Sequence, residues 1–153
     1  RELSVWENVL VGAHRGGGHE AETRTRALAA IEFVGLSDKA HEISRSLPYG
    51  HQKLVELARA IAGEPELLLL DEPGAGLNQT EKQELVRLLK RLNEMGLTIL
   101  IVEHDMSLVS RVASVATVLN FGEKIAEGTV DEVLRHPAVV EAYLGNREVA
   151  LGV

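Results

Sequence analysis

The chain has no cysteine in its 153 residues. Disulfides and thiolate metal sites are therefore excluded, and a reducing compartment is permitted without being demonstrated. Aromatic residues are scarce at 3%, so Leu, Val, Ile and Ala must build the core. No apolar run approaches the ~20 residues needed to cross a bilayer as a helix. No secretory leader is visible, and the first residue is Arg1 rather than Met, so it need not be the biological start. Basic residues are outnumbered, leaving a net charge of -7. That balance argues against nucleic acid as a partner, since phosphate backbones are held by an excess of Lys and Arg. It leaves room for a nucleotide, where a few local groups and a metal ion suffice.

What is present reads as an ordered globular chain, with 45% hydrophobic and 25% charged residues. A compact fold of this size buries roughly 70% of its unfolded surface. The N-terminal part predicts helices alone. Ser4 and Glu7 form a capping box ahead of a helix over about residues 5–14. "HRGGGHEAE" reads as a loop, and the following helix places Leu28, Ile31 and Val34 on one face before stopping at Gly35. A short polar stretch broken by Pro48 leads to a helix over 51–63 with Leu54, Leu57, Ala58 and Ile61 on its stripe.

The character then changes. "ELLLLD" is a continuous apolar run, as expected for a strand buried on both faces. Asn78 and Glu81 box the start of a strong helix whose core stripe is Leu85, Leu88, Leu89 and Leu92, and Gly96 stops it. "TILIV" predicts a second buried strand, and "DMSLVSRVA" a short helix. Two strands flank a turn at Phe121-Gly122-Glu123. A helix boxed by Thr129 and Glu132 follows, and "AVVEAYLG" is expected to close the chain helically. Alternating strands and helices predict an α/β fold with a parallel sheet, preceded by a helical subdomain.

The candidate chemistry lies at "LLLLDEPGAGLN". Ligands of open α/β sheets bind beyond the carboxyl ends of strands, which is where Asp71 and Glu72 stand. An Asp there can hold Mg²⁺, and a neighbouring Glu can orient or deprotonate a water. Alone, Asp-Glu-Pro also reads as a solvated turn. Its context is more specific: "SLPYGHQKLVELARAIAGEPELLLLDEP" precedes "GAGLN", and "TILIVEHD" follows. In order and spacing these motifs resemble the ATP-binding subunits of ABC transporters. "LPYGHQ" stands at the LSGGQ signature, "LLLLDEP" at the Walker B strand, "GAGLN" at the D-loop, and "VEHD" at the switch histidine. "LPYG", "EPGAGLN" and the tail "VLNFGEKIAEGTVDEVLRHPAVVEAYLG" are similar to the branch that powers branched-chain amino acid uptake.

The resemblance implies an incomplete P-loop NTPase core of ABC type. Residues 1–63 would be its helical subdomain, with the signature motif and helix, and 64–153 the C-terminal part of its RecA-like ATPase core. It implies that Asp71 organises Mg²⁺, that Glu72 is the general base, and that His104 contacts the γ-phosphate of ATP and helps position the water. Tyr49, Gly50 and His51 open a helix whose N-terminus would face ATP held by the other subunit of a dimer. Gly76, Leu77 and Asn78 would cross that interface. The chain departs from the family pattern at Pro48, which replaces the signature serine, at His51, which replaces its glutamine, and at Asn78, which replaces the D-loop aspartate.

The phosphate cradle GxxGxGK[ST] does not occur in these residues. By resemblance it lies upstream of Arg1, so the chain alone is expected to be inactive. Implied partners are a second ATPase subunit and transmembrane permease subunits, at the cytoplasmic face of the membrane. Two alternatives stay open: a truncated, non-catalytic interaction module, and an ABC ATPase without a transport role. Other stretches carry less. "RGGGH" lacks a preceding strand and a trailing Lys-Ser/Thr, so it reads as a helix–helix linker. Glu103, His104 and Asp105 alternate in direction on an extended segment, which disfavours a shared ion. Arg87, Lys90 and Arg91 read as a solvated helix face.

Overall fold

The computed structural model describes residues 2–142, which fall into two compact units, Arg1–Glu103 and His104–Val153. In the first unit, helix α1 (Val5–Ala13) opens on the expected box. The Ser4 hydroxyl accepts from the Glu7 N–H, and the Glu7 carboxylate accepts from the Ser4 N–H at 2.7 Å. The next two amides, Val5 and Trp6, donate to the carbonyls of Glu42 and Ala40 at 3.0 and 2.8 Å. These bonds answer donors that a helix start leaves without intrahelical partners, and they tie α1 to the segment around residues 40–42.

Helix α2 (Glu20–Phe33) buries Ile31 of the expected stripe, but not Leu28. Thr23, Ala27, Ala30 and Ile31 are buried, as is Val34 just beyond its end, whereas Leu28 is 58% exposed. Ile31 and Val34 of the expected stripe are covered; Leu28 is the exception, and Thr23, Ala27 and Ala30 take the remaining buried positions. The buried face is mostly of small residues, and helix α2 packs against α1. The helix ends as expected: Gly35 lies at φ +74°, while Leu36 N–H reaches Ile31 O and Gly35 N–H reaches Glu32 O.

Helix α3 (Tyr49–Ile61) starts directly after Pro48, two residues earlier than the apolar pattern predicts. It buries Gly50, Val55, Leu57 and Ala58, while Leu54 and Ile61 are half-buried. It packs on both α1 and α2, so its covered face is broader than one stripe. The approach to α1 is extreme at Gly12, where an added Cβ would lie 1.9 Å from the Arg59 carbonyl oxygen. In an ordinary helix interior Gly→Ala gains roughly 0.5–1 kcal/mol. Gly12→Ala instead must push two backbones apart and should cost about 1–3 kcal/mol. Denaturant unfolding measures this; a raised midpoint would show that the two helices do not touch.

The "HRGGG" connector is organised by Arg26, whose guanidinium donates to the carbonyls of Ala13, at 2.9 Å, and Gly17. A cation there suits the C-terminal end of α1. Carbonyls turned toward a cation are the reverse of a phosphate loop, which presents N–H groups.

Strand β1 (Leu67–Asp71) pairs in parallel with β2 (Thr98–Val102), Leu67 opposite Thr98 and Asp71 opposite Val102. Both strands were expected to be buried on both faces, and neither is. Leu67, Leu69, Leu100 and Val102 are 49%, 64%, 58% and 60% exposed, while Leu68, Leu70, Ile99 and Ile101 on the opposite face are buried or half-buried. Continuous apolar runs signal cover on both faces only if another element supplies it. Among the described residues β1 and β2 pair only with each other.

Between them, α4 (Gln79–Glu94) buries the predicted Leu85, Leu88, Leu89 and Leu92, with Val86 beside them. Arg87, Lys90 and Arg91 are exposed, as a solvated face implies, and the Arg91 guanidinium lies 4.6 Å from the Phe33 ring centroid, where its charge meets the ring's electron-rich face.

The second unit starts with α5 (Met106–Val112), capped by the Asp105 carboxylate, which accepts from Ser107 N–H at 3.0 Å. Strands β3 (Val115–Asn120) and β4 (Glu123–Thr129) form the expected antiparallel hairpin. Both turn residues, Phe121 and Gly122, have positive φ, as tight hairpins require. Helix α6 (Val130–Arg135) opens on Thr129, whose hydroxyl, then its N–H, holds the Glu132 carboxyl below its usual range. Val118, Ala126, Val133 and Val139 form this unit's core. Residues 137–142 are helical; the last three of "AVVEAYLG" lie outside the described residues.

Candidate functional site

Asp71 is the last residue of β1, so its carboxylate stands at the strand's C-terminal end. Glu72 leaves the strand with φ +44°. A non-glycine residue in that left-handed region costs on the order of 1–3 kcal/mol and is kept only where its surroundings impose it. Here the Glu72 N–H donates to Val102 O at 2.9 Å, and Glu72 O accepts from the Ala75 N–H at 3.0 Å. Pro73 and Gly74 behind it are buried, whereas Asp71 and Glu72 are exposed. The Gly74 N–H donates to Glu103 Oε1 at 2.8 Å. An exposed acid pair thus rides on a buried, hydrogen-bonded turn.

The same loop continues to Gly76, at φ +74°. An added Cβ there would lie 2.7 Å from Cε1 of Tyr49, so any other residue at Gly76 would be strained and would displace the Tyr49 ring. Tyr49 is half exposed, and the Lys53 ammonium sits 5.7 Å from its ring centroid. The pKa of Lys53 is raised, chiefly by its hydrogen bond to Glu56.

Next along the chain, Asn78 caps α4: its Oδ1 accepts from Thr80 and Glu81 N–H groups at 2.9 and 3.0 Å, and its own N–H donates to Glu81 Oε2 at 2.8 Å. The other Glu81 oxygen sits where a Cβ on Gly50 would be, at 2.3 Å. Two of the three signature residues and two of the three D-loop residues named from sequence are therefore brought together, Tyr49 on Gly76 and Gly50 beside the Asn78–Glu81 cap. His51 is half-buried, with a buried Nδ1 that has no hydrogen-bond partner.

His104 begins the second unit and is exposed. No group of three or more metal-ligating side chains occurs among the described residues. Asp71 would offer Mg²⁺ one hard oxygen donor, which fits an ion that takes one or two carboxylates and fills its remaining positions with water and phosphate.

Sequence reading passed over Glu103 as a member of a weak Glu-His-Asp triad. The signal was available in the register: with Asp71 opposite Val102, the next residues, Glu72 and Glu103, leave the two strand ends side by side.

Similarity to known proteins covers nearly the whole chain. Residues 1–75 match the family described as ABC transporter, and residues 123–149 match the branched-chain amino acid ATP-binding cassette transporter family. The chain is 38% identical to the high-affinity branched-chain amino acid transport ATP-binding protein LivG of Salmonella typhimurium over 161 residues, covering 95% of this chain and 63% of LivG. It is 35% identical to BraF of Pseudomonas aeruginosa, a protein of the same description, with the same coverage. Among solved structures, the ADP conformation of an ATP-binding cassette of an ABC transporter superposes with a TM-score of 0.81 at 30% identity, over 94% of this chain and 63% of that one. CbiO1 of Clostridium perfringens, part of the ABC transporter complex cbiONQ, gives 0.79 at 29% identity over 100% and 62%. The chain thus spans less than two thirds of the length of these relatives. With these matches and the motif order along β1, the loop after it and β2, the chain belongs to the ABC transporter family of ATP-binding proteins, and its C-terminal region to the branched-chain amino acid type.

Proposed function

We propose that this chain is part of the ATP-binding, ATP-hydrolysing subunit that energises an ABC importer of branched-chain amino acids. The observation that carries the reading is Glu72: an exposed carboxylate in a strained conformation one residue beyond a strand-end aspartate. Strain of that kind clusters where a side chain is aimed for chemistry. Its identity to LivG and BraF, both described as branched-chain amino acid transport proteins, supports the substrate class.

In this reading Glu72 takes the proton of the attacking water as general base, and His104 contacts the γ-phosphate and helps position that water. Asp71 holds Mg²⁺, which supplies charge neutralisation of the phosphates when bound. Residues 1–63 act as the helical subdomain and 64–153 as part of the ATPase core. Tyr49, Gly50 and His51 present the N-terminus of α3, with its partial positive charge of about +0.5, to ATP on a second ATPase subunit. Gly76 and Asn78 lie on the same interface. The assembly works with transmembrane permease subunits at the cytoplasmic face of the membrane.

Reconstitution of the ATPase with its membrane subunits in proteoliposomes tests this. ATP-dependent uptake of leucine, isoleucine or valine is expected. ATP hydrolysis that proceeds without uptake of any of the three, and without response to the membrane subunits, would sink the importer assignment.

A further inference from the structure

We infer that Glu103 is a positioning residue for the general base, acting through the Gly74 amide. This rests on the role proposed for Glu72. The turn that carries Glu72 has few backbone donors with which to hold itself. Pro73 has no N–H, so Gly74 supplies the first donor after Glu72 itself. Gly74 is buried, and a buried N–H must find an acceptor. Nothing local provides one. The acceptor is Glu103 Oε1 at 2.8 Å, from 29 residues further along the chain, just past the end of β2. A carboxylate accepting from a backbone amide is a charge-assisted bond, stronger than a neutral one.

The geometry gives this bond leverage. Glu72 is pinned on its own N–H by Val102 O, the residue directly before Glu103. Its carbonyl is pinned by Ala75 N–H, the residue directly after Gly74. The last residue of β2 and the one after it thus grip the turn at two points, Val102 at its start and Glu103 at its middle. Together they hold Glu72 at φ +44°, a conformation a free chain would leave. Without the Glu103 acceptor the Gly74 amide must seek water, the turn opens, and Glu72 can relax toward ordinary backbone angles. Glu103 touches neither water nor nucleotide in this account; it fixes where the Glu72 carboxylate sits.

The test compares variants of the assembled ATPase. Glu103→Ala should lower kcat by about 10- to 100-fold, the scale of a small misplacement of a catalytic group. KM for ATP should stay within about twofold, because a positioning loss falls on the transition state. Glu103→Gln retains a side-chain oxygen that can accept the same N–H, and should stay within about threefold of the parent, since a neutral acceptor forfeits only part of the bond.

Gln as damaging as Ala would show that the negative charge acts on the reaction itself, and overturns the inference. So does an Ala variant with the parent's kcat, or one whose loss lies in KM. If the Ala variant does not fold, Glu103→Asp, one methylene short of the amide, takes its place and must also lower kcat. Amide hydrogen exchange gives a readout independent of ATPase activity: exchange at Gly74 and Ala75 should quicken in Glu103→Ala, and unchanged exchange refutes the clamp. Glu72→Gln in the same preparation separates the two claims. If that variant turns over normally, the proposed function fails, and the exchange data alone decide on the Glu103 clamp.

Discussion

Glu72→Gln lowers ATP turnover by the assembled ATPase about 10²- to 10⁴-fold, the range ascribed to a positioned general base. ATP binding is retained, because the substitution removes a proton acceptor and leaves the shape of the side chain. The backbone should tolerate it: Glu72 stays in place through its N–H bond to Val102 O and its carbonyl bond to Ala75 N–H, neither of which uses the carboxylate. Single-turnover hydrolysis beside equilibrium nucleotide binding separates the two effects. Comparable hydrolysis by mutant and parent removes Glu72 as the base, and with it the proposed role of the strained turn.

Leu89→Ala costs about 2–5 kcal/mol, the range for deleting a buried leucine from a packed core. Leu89 is 1% exposed and among the largest fully buried side chains of the chain. The informative comparison is Leu69→Ala in β1. Leu69 belongs to the four-leucine run of β1, yet it is 64% exposed, so its replacement should change stability by no more than about 0.5 kcal/mol. Denaturant unfolding of both variants ranks them. A larger loss at Leu69 than at Leu89 would mean that the exposed face of the β1–β2 sheet is covered in solution.

The site was legible in unequal parts. Asp71 and Glu72 stand out because an apolar run ends in two acids, and Tyr49, Gly50, Gly76 and Asn78 follow from motif order. That Tyr49 rests on Gly76 was not legible, because the two belong to different elements and no local rule relates them. The box at Asn78 is evident in the sequence, whereas the structure shows that its Oδ1 is occupied by the Thr80 and Glu81 N–H groups.

By itself the sequence determined what depends on neighbours three or four residues away. The boxes at Ser4–Glu7, Asn78–Glu81 and Thr129–Glu132 and the glycine stop after α2 all formed as read, because each is a contact between groups that a single helical turn brings together. The leucine stripe of α4 follows the same logic. Tertiary structure alone decided which side chains are covered and how the acids are held. Leu28 faces outward while Thr23, Ala27, Ala30 and Ile31 are covered; half of β1 and β2 is bare because no described element lies against it; Glu72 is turned to a positive φ between Val102 at the end of β2 and Glu103 just beyond it. Burial and strain are set by what arrives from far along the chain, and periodicity carries no information about arrivals.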